Sequence, residues 1–318
     1  MKRIVLISIY FGKFPSNFGI WLKSAGKNES IDFLLYSDCD TGEYAFPENV
    51  KLIKASFEDI KERIQSKFDF NIVLDNPYKL CDYKPVYGYV FADDIGGYDY
   101  WGHIDIDAVL GDIRSFIPER EYEKLYQTGH LTIYKNTEEN NRRFMLDGAL
   151  KYKDVFTTPR ICVFDEAGGM QEKFELLGIP TYISRDYADI TKRAARLTLS
   201  TVFLETSNKA VKNYPYQIFY YDNGKVKRDY FIGDKLYTDE FNYIHFSSRK
   251  PEDYTDGAES FYITDCGFYK KDGETTKEII DRYNPLRPEL DRQVAKRWAR
   301  DDKRKRIKNA LTRIKSKL

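Results

Sequence analysis

Residues 50–68, VKLIKASFEDIKERIQSKF, join a strand pattern directly to a helix pattern. Apolar and polar residues alternate over residues 50–55, which predicts a short β-strand. Ser56 follows at the position of a helix N-cap, because its hydroxyl can accept a hydrogen bond from a backbone N–H of the first turn. This stretch therefore predicts a β-strand that leads straight into an α-helix over residues 57–68.

The same alternation of strand and helix extends toward the N-terminus. Residues 3–8 and 32–37 are apolar runs typical of buried parallel strands, and residues 17–27 between them predict a helix. Such alternation favours an α/β domain with a mostly parallel central sheet and flanking helices. Further elements are predicted downstream: a helix over residues 83–92, a strand over 98–107 that ends in polar residues, and a strand over 130–135.

The C-terminal half gives weaker signals beyond residue 165. Residues 214–270 are rich in Tyr and Phe, and the turn sequence Asp-Asn-Gly-Lys at 222–225 predicts a β-hairpin. Two prolines within residues 284–288 separate this region from the C-terminus. The sequence thus divides into a body, residues 1–285, and a tail, residues 286–318.

Composition excludes several classes of protein. The chain has 318 residues, of which 42% are apolar, so a substantial core is expected. Its four cysteines form no C-x-x-C pair, which disfavours a zinc site or a redox motif and suits reduced thiols in the cytoplasm. The apolar start is too short for a signal peptide, and no stretch is long enough to span a bilayer.

The tail is strongly basic. Residues 289–318 contain 12 Lys and Arg against 4 Asp and Glu. Val294 and Trp298 lie at helical spacing, as do Ile307, Leu311, Ile314 and Leu318. This pattern predicts a basic amphipathic helix that binds an anionic membrane surface, and a solvated helix or a disordered tail is the alternative. No nucleic-acid motif accompanies the charge, so nucleic acid is not expected as a partner.

Two aspartates close the predicted strand over residues 98–107. In the sequence Trp-Gly-His-Ile-Asp-Ile-Asp, Asp105 and Asp107 are two residues apart, so an extended chain presents both carboxylates on one side. Open α/β sheets bind ligands at the ends of such strands, and a divalent cation removes the repulsion between paired carboxylates. A solvated strand end or a helix cap would also place aspartates here.

A second polar group lies far downstream in Tyr-Ile-His-Phe-Ser-Ser-Arg-Lys-Pro, residues 243–251. His245 is expected to be the third protein ligand of the metal. Lys250 or Arg249 is expected to contact phosphate oxygens of a diphosphate. A lone histidine on a strand is otherwise a common structural residue, so this prediction depends on the pairing with Asp105 and Asp107.

Together these motifs resemble those of glycosyltransferases of the GT-A fold, including the glycogenin-like group. That resemblance implies that Asp105, Asp107 and His245 hold Mn²⁺ or Mg²⁺, and that Lys250 contacts the diphosphate. Ser248 stands where that group usually has glycine, and no Trp follows Pro251. Over residues 1–250 the chain more closely resembles bacterial capsular and O-antigen polysaccharide glycosyltransferases, a family that includes galactofuranosyltransferases. The segments that carry this closer resemblance are residues 10–14, 77–85, 98–107 and 129–136.

The resemblance implies an enzyme that transfers a hexose, such as galactofuranose, from a UDP-sugar to a glycan or a lipid-linked oligosaccharide. Residues 1–135 would then form the nucleotide-binding half and residues 136–285 the acceptor-binding half of a GT-A domain. The tail would hold the enzyme at the cytoplasmic face of the cell membrane. Sites for the donor are expected at seven residues, for most of which a turn, capping or supporting role is the alternative: Tyr10, Gly12, Asp38, Lys79, Asp82, Lys84 and His103.

Asp165 and Glu166 are the candidates for a general base. An inverting transferase needs a carboxylate near the acceptor hydroxyl to take its proton. Binding of acceptor hydroxyls, or capping of the helix that follows, is the alternative role for these two residues. Two alternatives to a transferase also remain: a glycoside hydrolase, which needs two carboxyl groups flanking the scissile bond, and a carbohydrate- or membrane-binding scaffold without activity.

Overall fold

The computed structural model describes residues 2–42, 44–200, 212–246, 249 and 251–315. Its strands are β1 (Ile4–Tyr10), β2 (Ile31–Ser37), β3 (Val50–Lys54), β4 (Tyr100–Ile104), β5 (Ala108–Leu110), β6 (Lys124–Thr128), β7 (Leu131–Lys135), β8 (Thr181–Tyr182), β9 (Ala188–Asp189), β10 (Gln217–Asp222), β11 (Lys225–Ile232), β12 (Lys235–Phe241), β13 (Tyr243–His245), β14 (Glu252–Tyr254), β15 (Ser260–Ile263) and β16 (Gly267–Lys270). Its α-helices are α1 (Phe18–Gly26), α2 (Phe57–Gln65), α3 (Tyr87–Val90), α4 (Ala92–Ile95), α5 (Glu138–Asn141), α6 (Tyr152–Phe156), α7 (Glu172–Leu176), α8 (Lys277–Tyr283) and α9 (Pro288–Lys315). Short 3₁₀ helices cover Pro77–Val86, Ile113–Phe116 and Arg143–Met145, and one π-helical turn covers Ala167–Gln171.

A seven-stranded sheet in the order β3-β2-β1-β4-β7-β6-β8 forms the centre of the molecule. Strands β3, β2, β1 and β4 pair in parallel, whereas β7 is antiparallel to both of its neighbours. Apolar side chains cover both faces of this sheet, with Trp21 and Phe33 on one face and Trp101 and Phe156 on the other. The prediction of an α/β fold with a mostly parallel central sheet is therefore confirmed.

The N-terminal third follows its local sequence signals, with one exception. Ser56 caps α2, and Asp59 completes a capping box by accepting a hydrogen bond from the backbone N–H of Ser56. The helix predicted over residues 83–92 is confirmed only in part. A 3₁₀ helix, Pro77–Val86, covers the start of this range, and two short α-helices, α3 and α4, follow it.

The second half builds a separate antiparallel sheet in the order β12-β11-β10-β15-β16-β14. The predicted hairpin is confirmed: β10 and β11 pair from Asp222 opposite Lys225, and Asn223 and Gly224 both have positive φ. A small three-stranded sheet, β5-β13-β9, contains β5, which follows β4 of the first sheet in the chain, and β13, which follows β12 of the second. This small sheet brings chain segments from both halves of the chain to the end of β4.

Helix α9 confirms a long helix in the tail. Within its described side chains, Val294 and Trp298 are partly buried, while most of their neighbours are exposed. Among the described residues, no helix combines the length and apolar character that crossing a membrane requires.

Candidate active site

A cavity of about 990 Å³ opens at the carboxyl ends of β1 and β4. Ligands of open α/β sheets bind at this edge. Polar and titratable side chains from seven parts of the chain line it, among them Tyr10, Lys84, Asp105, Asp107, His130, Asp165, Glu166, Asp189, Lys192, His245 and Arg249. Several predicted site residues, which are far apart in sequence, therefore line one cavity.

Asp105, Asp107 and His245 are brought together by two strands. β4 ends at Ile104 and β5 begins at Ala108, so both aspartates lie in the short connection between them. β13 pairs with β5 so that His245 lies opposite Ala108. One ligand atom from each of the three side chains lies within 4.8 Å of the others, which is a spacing that suits a metal ion. The structure thus groups the three predicted ligands.

His245 has a different carboxylate on each side of its ring. Its Nδ1 is 2.9 Å from Asp189 Oδ1, and its Nε2 is 3.5 Å from Asp107 Oδ1. Burial alone would lower the pKa of His245, but hydrogen bonds to these two carboxylates raise it to about 10. Without a metal, His245 is therefore an imidazolium ion held between two aspartates.

His130, Asp189 and His245 form a second group with metal-ligand spacing. The rings of His130 and His245 are stacked, however, with centroids 4.3 Å apart and planes only 20° from parallel. A metal binds in the plane of an imidazole, along the nitrogen lone pair, and two nearly parallel planes do not meet at bonding distance. His130 also hydrogen-bonds Tyr243 through Nδ1 at 2.6 Å. The group of Asp105, Asp107 and His245 is therefore the better metal site.

Lys84 links the metal-ligand group to the candidate base. Its Nζ donates to Asp105 Oδ1 at 2.7 Å and to Gly129 O at 2.6 Å, and it lies 3.6 Å from Asp165 Oδ2. Although burial opposes it, the negative charges of Asp105 and Asp165 raise the pKa of Lys84. Lys84 is therefore charged and faces the cavity, in the region where contact with a donor was expected.

Asp165 and Glu166 also line the cavity, and Lys84 lies close to both Asp165 and Asp105. Asp165 is almost fully buried, and this burial raises its pKa to about 7, while burial also raises the pKa of Glu166. The turn before them is strained, because Val163 has a φ of 58°, which is unfavourable for a β-branched residue. A carboxyl group with a pKa near neutrality is well suited to accept and release a proton.

Lys79 and Asp82 differ from the expectation. Both side chains are buried behind the cavity wall, and Lys79 Nζ donates to Asp82 Oδ2 at 2.7 Å. Asp82 also accepts hydrogen bonds from the backbone N–H groups of Cys162 and Phe164. This pair fixes the segment that leads to Asp165, and it does not line the cavity where a donor would bind.

His103 also lies away from the cavity. It is buried, and burial lowers its pKa well below the usual value, so the ring is neutral. Tyr10 lines the cavity at the end of β1, and its stacking on a base stays a prediction. Gly12, with a φ of 92°, donates its N–H to Asp38 Oδ1 at 2.8 Å, so these two residues fasten the loop after β1 to the end of β2.

Arg249 has a structural partner where a phosphate contact was expected. Its guanidinium donates to the carbonyl oxygens of Thr191, Ala194 and Ala195, which anchors the loop over residues 191–195. Lys250 lies outside the described residues. The expectation that it contacts a diphosphate stays a prediction.

Most of the chain corresponds to one known protein family. Residues 6–272 match a family model described as a family of unknown function, DUF6625. The chain belongs to the DUF6625 family. No curated protein matches it. Because the family match spans both large sheets and the cavity, the site described above belongs to the part of the chain that defines DUF6625.

Among the cavity-lining residues of this DUF6625 chain that sequence reasoning missed, three come from one region. Tyr187, Asp189 and Lys192 come from the region with weak sequence signals, around the two-residue strand β9. The motif Tyr-Ala-Asp at 187–189 contains a carboxylate two residues after an aromatic, but nothing local marks it as a site. Only its parallel pairing with β13 places Asp189 beside His245.

Proposed function

We propose that this chain is a metal-dependent glycosyltransferase of the GT-A type that uses a nucleotide-diphosphate sugar. The observation that carries the proposal is the convergence of Asp105, Asp107 and His245 in one cavity with the buried carboxyl group of Asp165. Two functions are thereby combined in one cavity: a set of metal ligands, and a group that can take a proton. The cavity is at the upper end of the size range of small-molecule sites, which suits a nucleotide sugar.

Asp105, Asp107 and His245 would hold the metal. Two carboxylates and one imidazole suit Mn²⁺ or Mg²⁺, which take oxygen ligands and share them with phosphates. When bound, the ion would supply positive charge that stabilises the departing diphosphate. The metal ion would replace His245 as the positive charge beside Asp107. It would likewise replace Lys84 as the positive charge beside Asp105.

Asp165 is the stronger candidate for the general base, and Glu166 is the other. An inverting transfer requires a carboxylate that takes the proton of the acceptor hydroxyl as the anomeric carbon is attacked. The pKa of about 7 makes Asp165 a better proton acceptor at neutral pH than an ordinary aspartate. Lys84, 3.6 Å away, would stabilise its ionised form.

Lys192 is a cation that could meet the phosphates of a donor. It lines the cavity, and among the described residues its ammonium group has no hydrogen-bonding or ionic partner. Its loop is held on one side by Arg249 and on the other by Asp291 of α9, whose carboxylate accepts a hydrogen bond from the N–H of Ala195 at 2.7 Å. A charged donor held in this way binds phosphate oxygens well.

The tail supports a partner at the membrane. Helix α9 is 28 residues long, and its sequence is rich in Lys and Arg. Such a helix can lie on an anionic lipid surface. An acceptor linked to a lipid, such as an oligosaccharide intermediate of a surface polysaccharide, would then be delivered at the cytoplasmic face of the cell membrane.

Isothermal titration with UDP, with and without Mn²⁺, tests the proposal. We expect the wild-type protein to bind UDP more tightly with Mn²⁺, and the double variant Asp105→Ala/Asp107→Ala to lose this gain. Asp272→Asn is the matched control, because Asp272 is an exposed carboxylate outside the cavity lining. A folded wild-type protein that binds no UDP under either condition would exclude UDP-sugars as donors.

A further inference from the structure

His245 and Asp189 are paired by the backbone as well as by their side chains. β13 and β9 run in parallel with His245 directly opposite Asp189, and the imidazole Nδ1 lies 2.9 Å from Asp189 Oδ1. Both strands belong to the small sheet that also carries β5, next to Asp107. The pairing of the two strands therefore places both side chains next to each other, and both are largely shielded from solvent.

This contact decides which nitrogen of His245 is available to a metal. A neutral imidazole carries its proton on one nitrogen and a lone pair on the other. A proton on Nδ1, donated to Asp189, leaves the lone pair on Nε2, which faces Asp107 at 3.5 Å. Metal-binding histidines commonly donate their second N–H to a carboxylate, which fixes the ring and raises its affinity for the metal.

We propose that Asp189 is a positioning residue that holds His245 with Nε2 directed at a divalent cation bound to Asp105 and Asp107. The proposal rests on the proposed function, because it assumes that these three residues bind a metal. Asp189 lies on the Nδ1 side of His245, away from the Nε2 atom that faces Asp107. It therefore acts through His245 and is not itself a ligand.

The competing role for Asp189 is direct ligation together with His130 and His245. The near-parallel stack of the two imidazole rings opposes that arrangement, since one ion cannot lie in both ring planes. The Nδ1 atom of His245 would also have to give up its hydrogen bond to Asp189 in order to bind the ion. The two roles predict different effects of Asp189→Ala on metal affinity in a protein that already lacks His245. A positioning residue then has little effect, whereas a direct ligand still contributes.

A double-mutant cycle with Mn²⁺ as the probe tests the proposal. Mn²⁺ binding is measured by electron paramagnetic resonance, without nucleotide, in the wild type, Asp189→Ala, His245→Ala and the double variant. We expect Asp189→Ala to weaken Mn²⁺ binding by about 10- to 100-fold, a range typical of the outer partners of metal-binding histidines. In the His245→Ala background, Asp189→Ala should change Mn²⁺ affinity by less than about two-fold, because the contact it serves is gone.

The outcomes separate the proposal from its alternatives. Additive losses of affinity in the cycle would mean that Asp189 binds the ion directly, and would overturn a positioning role. Unchanged Mn²⁺ affinity in a folded Asp189→Ala protein would overturn it as well. If the wild type binds no Mn²⁺, or if Asp105→Ala/Asp107→Ala binds it equally well, the metal site of the proposed function fails instead. Asp272→Asn serves again as the control variant.

Discussion

Two lysines of the same 3₁₀ helix, Pro77–Val86, each lie beside carboxylates, and the two groups differ in whether they face the cavity. Lys79 Nζ donates to Asp82 Oδ2 at 2.7 Å and to two carbonyl oxygens, at 3.0 and 2.6 Å, so its three protons all have acceptors. Both side chains are buried, with 1% and 0% of their surface exposed. Lys79 therefore has no proton left to donate to a ligand, and both side chains are closed off from solvent.

Lys84 presents the opposite case. Its side chain is 14% exposed and that of its partner Asp105 is 31% exposed, and both line the cavity. Asp165, the second carboxylate near Lys84, is buried and has a raised pKa. The comparison shows that residue type and spacing alone do not separate a structural ion pair from a site. What distinguishes the two is whether the charged groups are buried among their partners, as Lys79 and Asp82 are, or line a cavity that a ligand can enter, as Lys84 and Asp105 do.

The largest effect is expected when the satisfied pair is broken. Lys79→Met should lower the free energy of unfolding by about 3–5 kcal/mol, because it leaves Asp82 buried without a countercharge. The two backbone N–H groups that donate to Asp82 would offset part of this loss. Urea denaturation at neutral pH, followed by circular dichroism, measures the difference.

Lys84→Met is the matched variant at the cavity. Asp105 is partly hydrated and Asp165 can take up a proton, so the free energy of unfolding should change by no more than about 1 kcal/mol. Transferase activity should fall instead. Equal losses of stability in Lys79→Met and Lys84→Met would remove the distinction between the two groups.

Asp165→Asn tests the buried carboxylate beside Lys84 through the pH dependence of stability. Burial raises the pKa of Asp165 from about 4 to about 7, so the folded state binds more protons than the unfolded state between these values. The wild type therefore loses stability as pH rises through this window, and the asparagine variant does not. Above pH 7 the variant should be more stable by on the order of 2–4 kcal/mol, since one pKa unit corresponds to about 1.4 kcal/mol.

Thermal unfolding of both proteins on either side of this pH window measures the difference. If Asp165 is the base, transfer by the wild type should decline as pH falls below about 7, because the carboxyl group is then protonated. The variant should lose activity by about 10²- to 10⁴-fold. Glu166→Gln is the control for the neighbouring carboxylate. A larger loss in Glu166→Gln than in Asp165→Asn would transfer the role to Glu166.

Much of the fold follows from local signals. The strands before residue 60, the capping box at Ser56 and the hairpin turn at Asn223 are each set by residues within a few positions of one another. The pairing of Asp105 with Asp107 is local too, and His245 was predicted through its pairing with these two aspartates, to which the resemblance to GT-A enzymes added support. These parts could be predicted because short-range spacing, or a recognisable motif, determines which side chains lie together.

The rest of the site depends on contacts between distant segments. Asp189 reaches His245 only because a two-residue strand pairs with β13, and such short strands carry no periodicity. Arg249 was assigned to phosphate because a cation near a metal site suggests it, yet three backbone carbonyls accept its hydrogen bonds. The burial of Lys79 and the accessibility of Lys84 could not be separated from sequence, since both lie on one short helix.

Lys192 extends the comparison to a lysine that has no partner among the described residues. Lys192→Met should weaken binding of UDP by roughly 10- to 100-fold, which corresponds to one lost hydrogen bond between charged groups. Uridine, which carries no phosphate, should bind both proteins equally. Titration calorimetry with both ligands measures the difference, and Arg193→Met, an exposed neighbour outside the cavity lining, is the control. Equal weakening of uridine and UDP would mean that the substitution disturbs the cavity as a whole.

The smallest effect is expected at Gly129, whose carbonyl oxygen accepts a hydrogen bond from Lys84. A Cβ atom there would lie 2.5 Å from Asp165 Oδ2 and 3.0 Å from Glu166 Oε1. Gly129→Ala must therefore displace the buried carboxylate, at a cost of about 1–2 kcal/mol.

Mn²⁺ binding by Gly129→Ala should stay unchanged, because neither Asp105 nor Asp107 is among the atoms nearest to the new methyl group. Transfer should fall by about 10-fold as the base moves, which corresponds to about 1.4 kcal/mol in the barrier. Gly168→Ala is the matched control, since a Cβ atom at Gly168 would meet no other atom within 4 Å. Suppose that a folded Gly129→Ala protein transfers sugar at the wild-type rate. The displacement of the Asp165 carboxylate would then have no consequence for the reaction, and Asp165 would not be the group that acts on the acceptor.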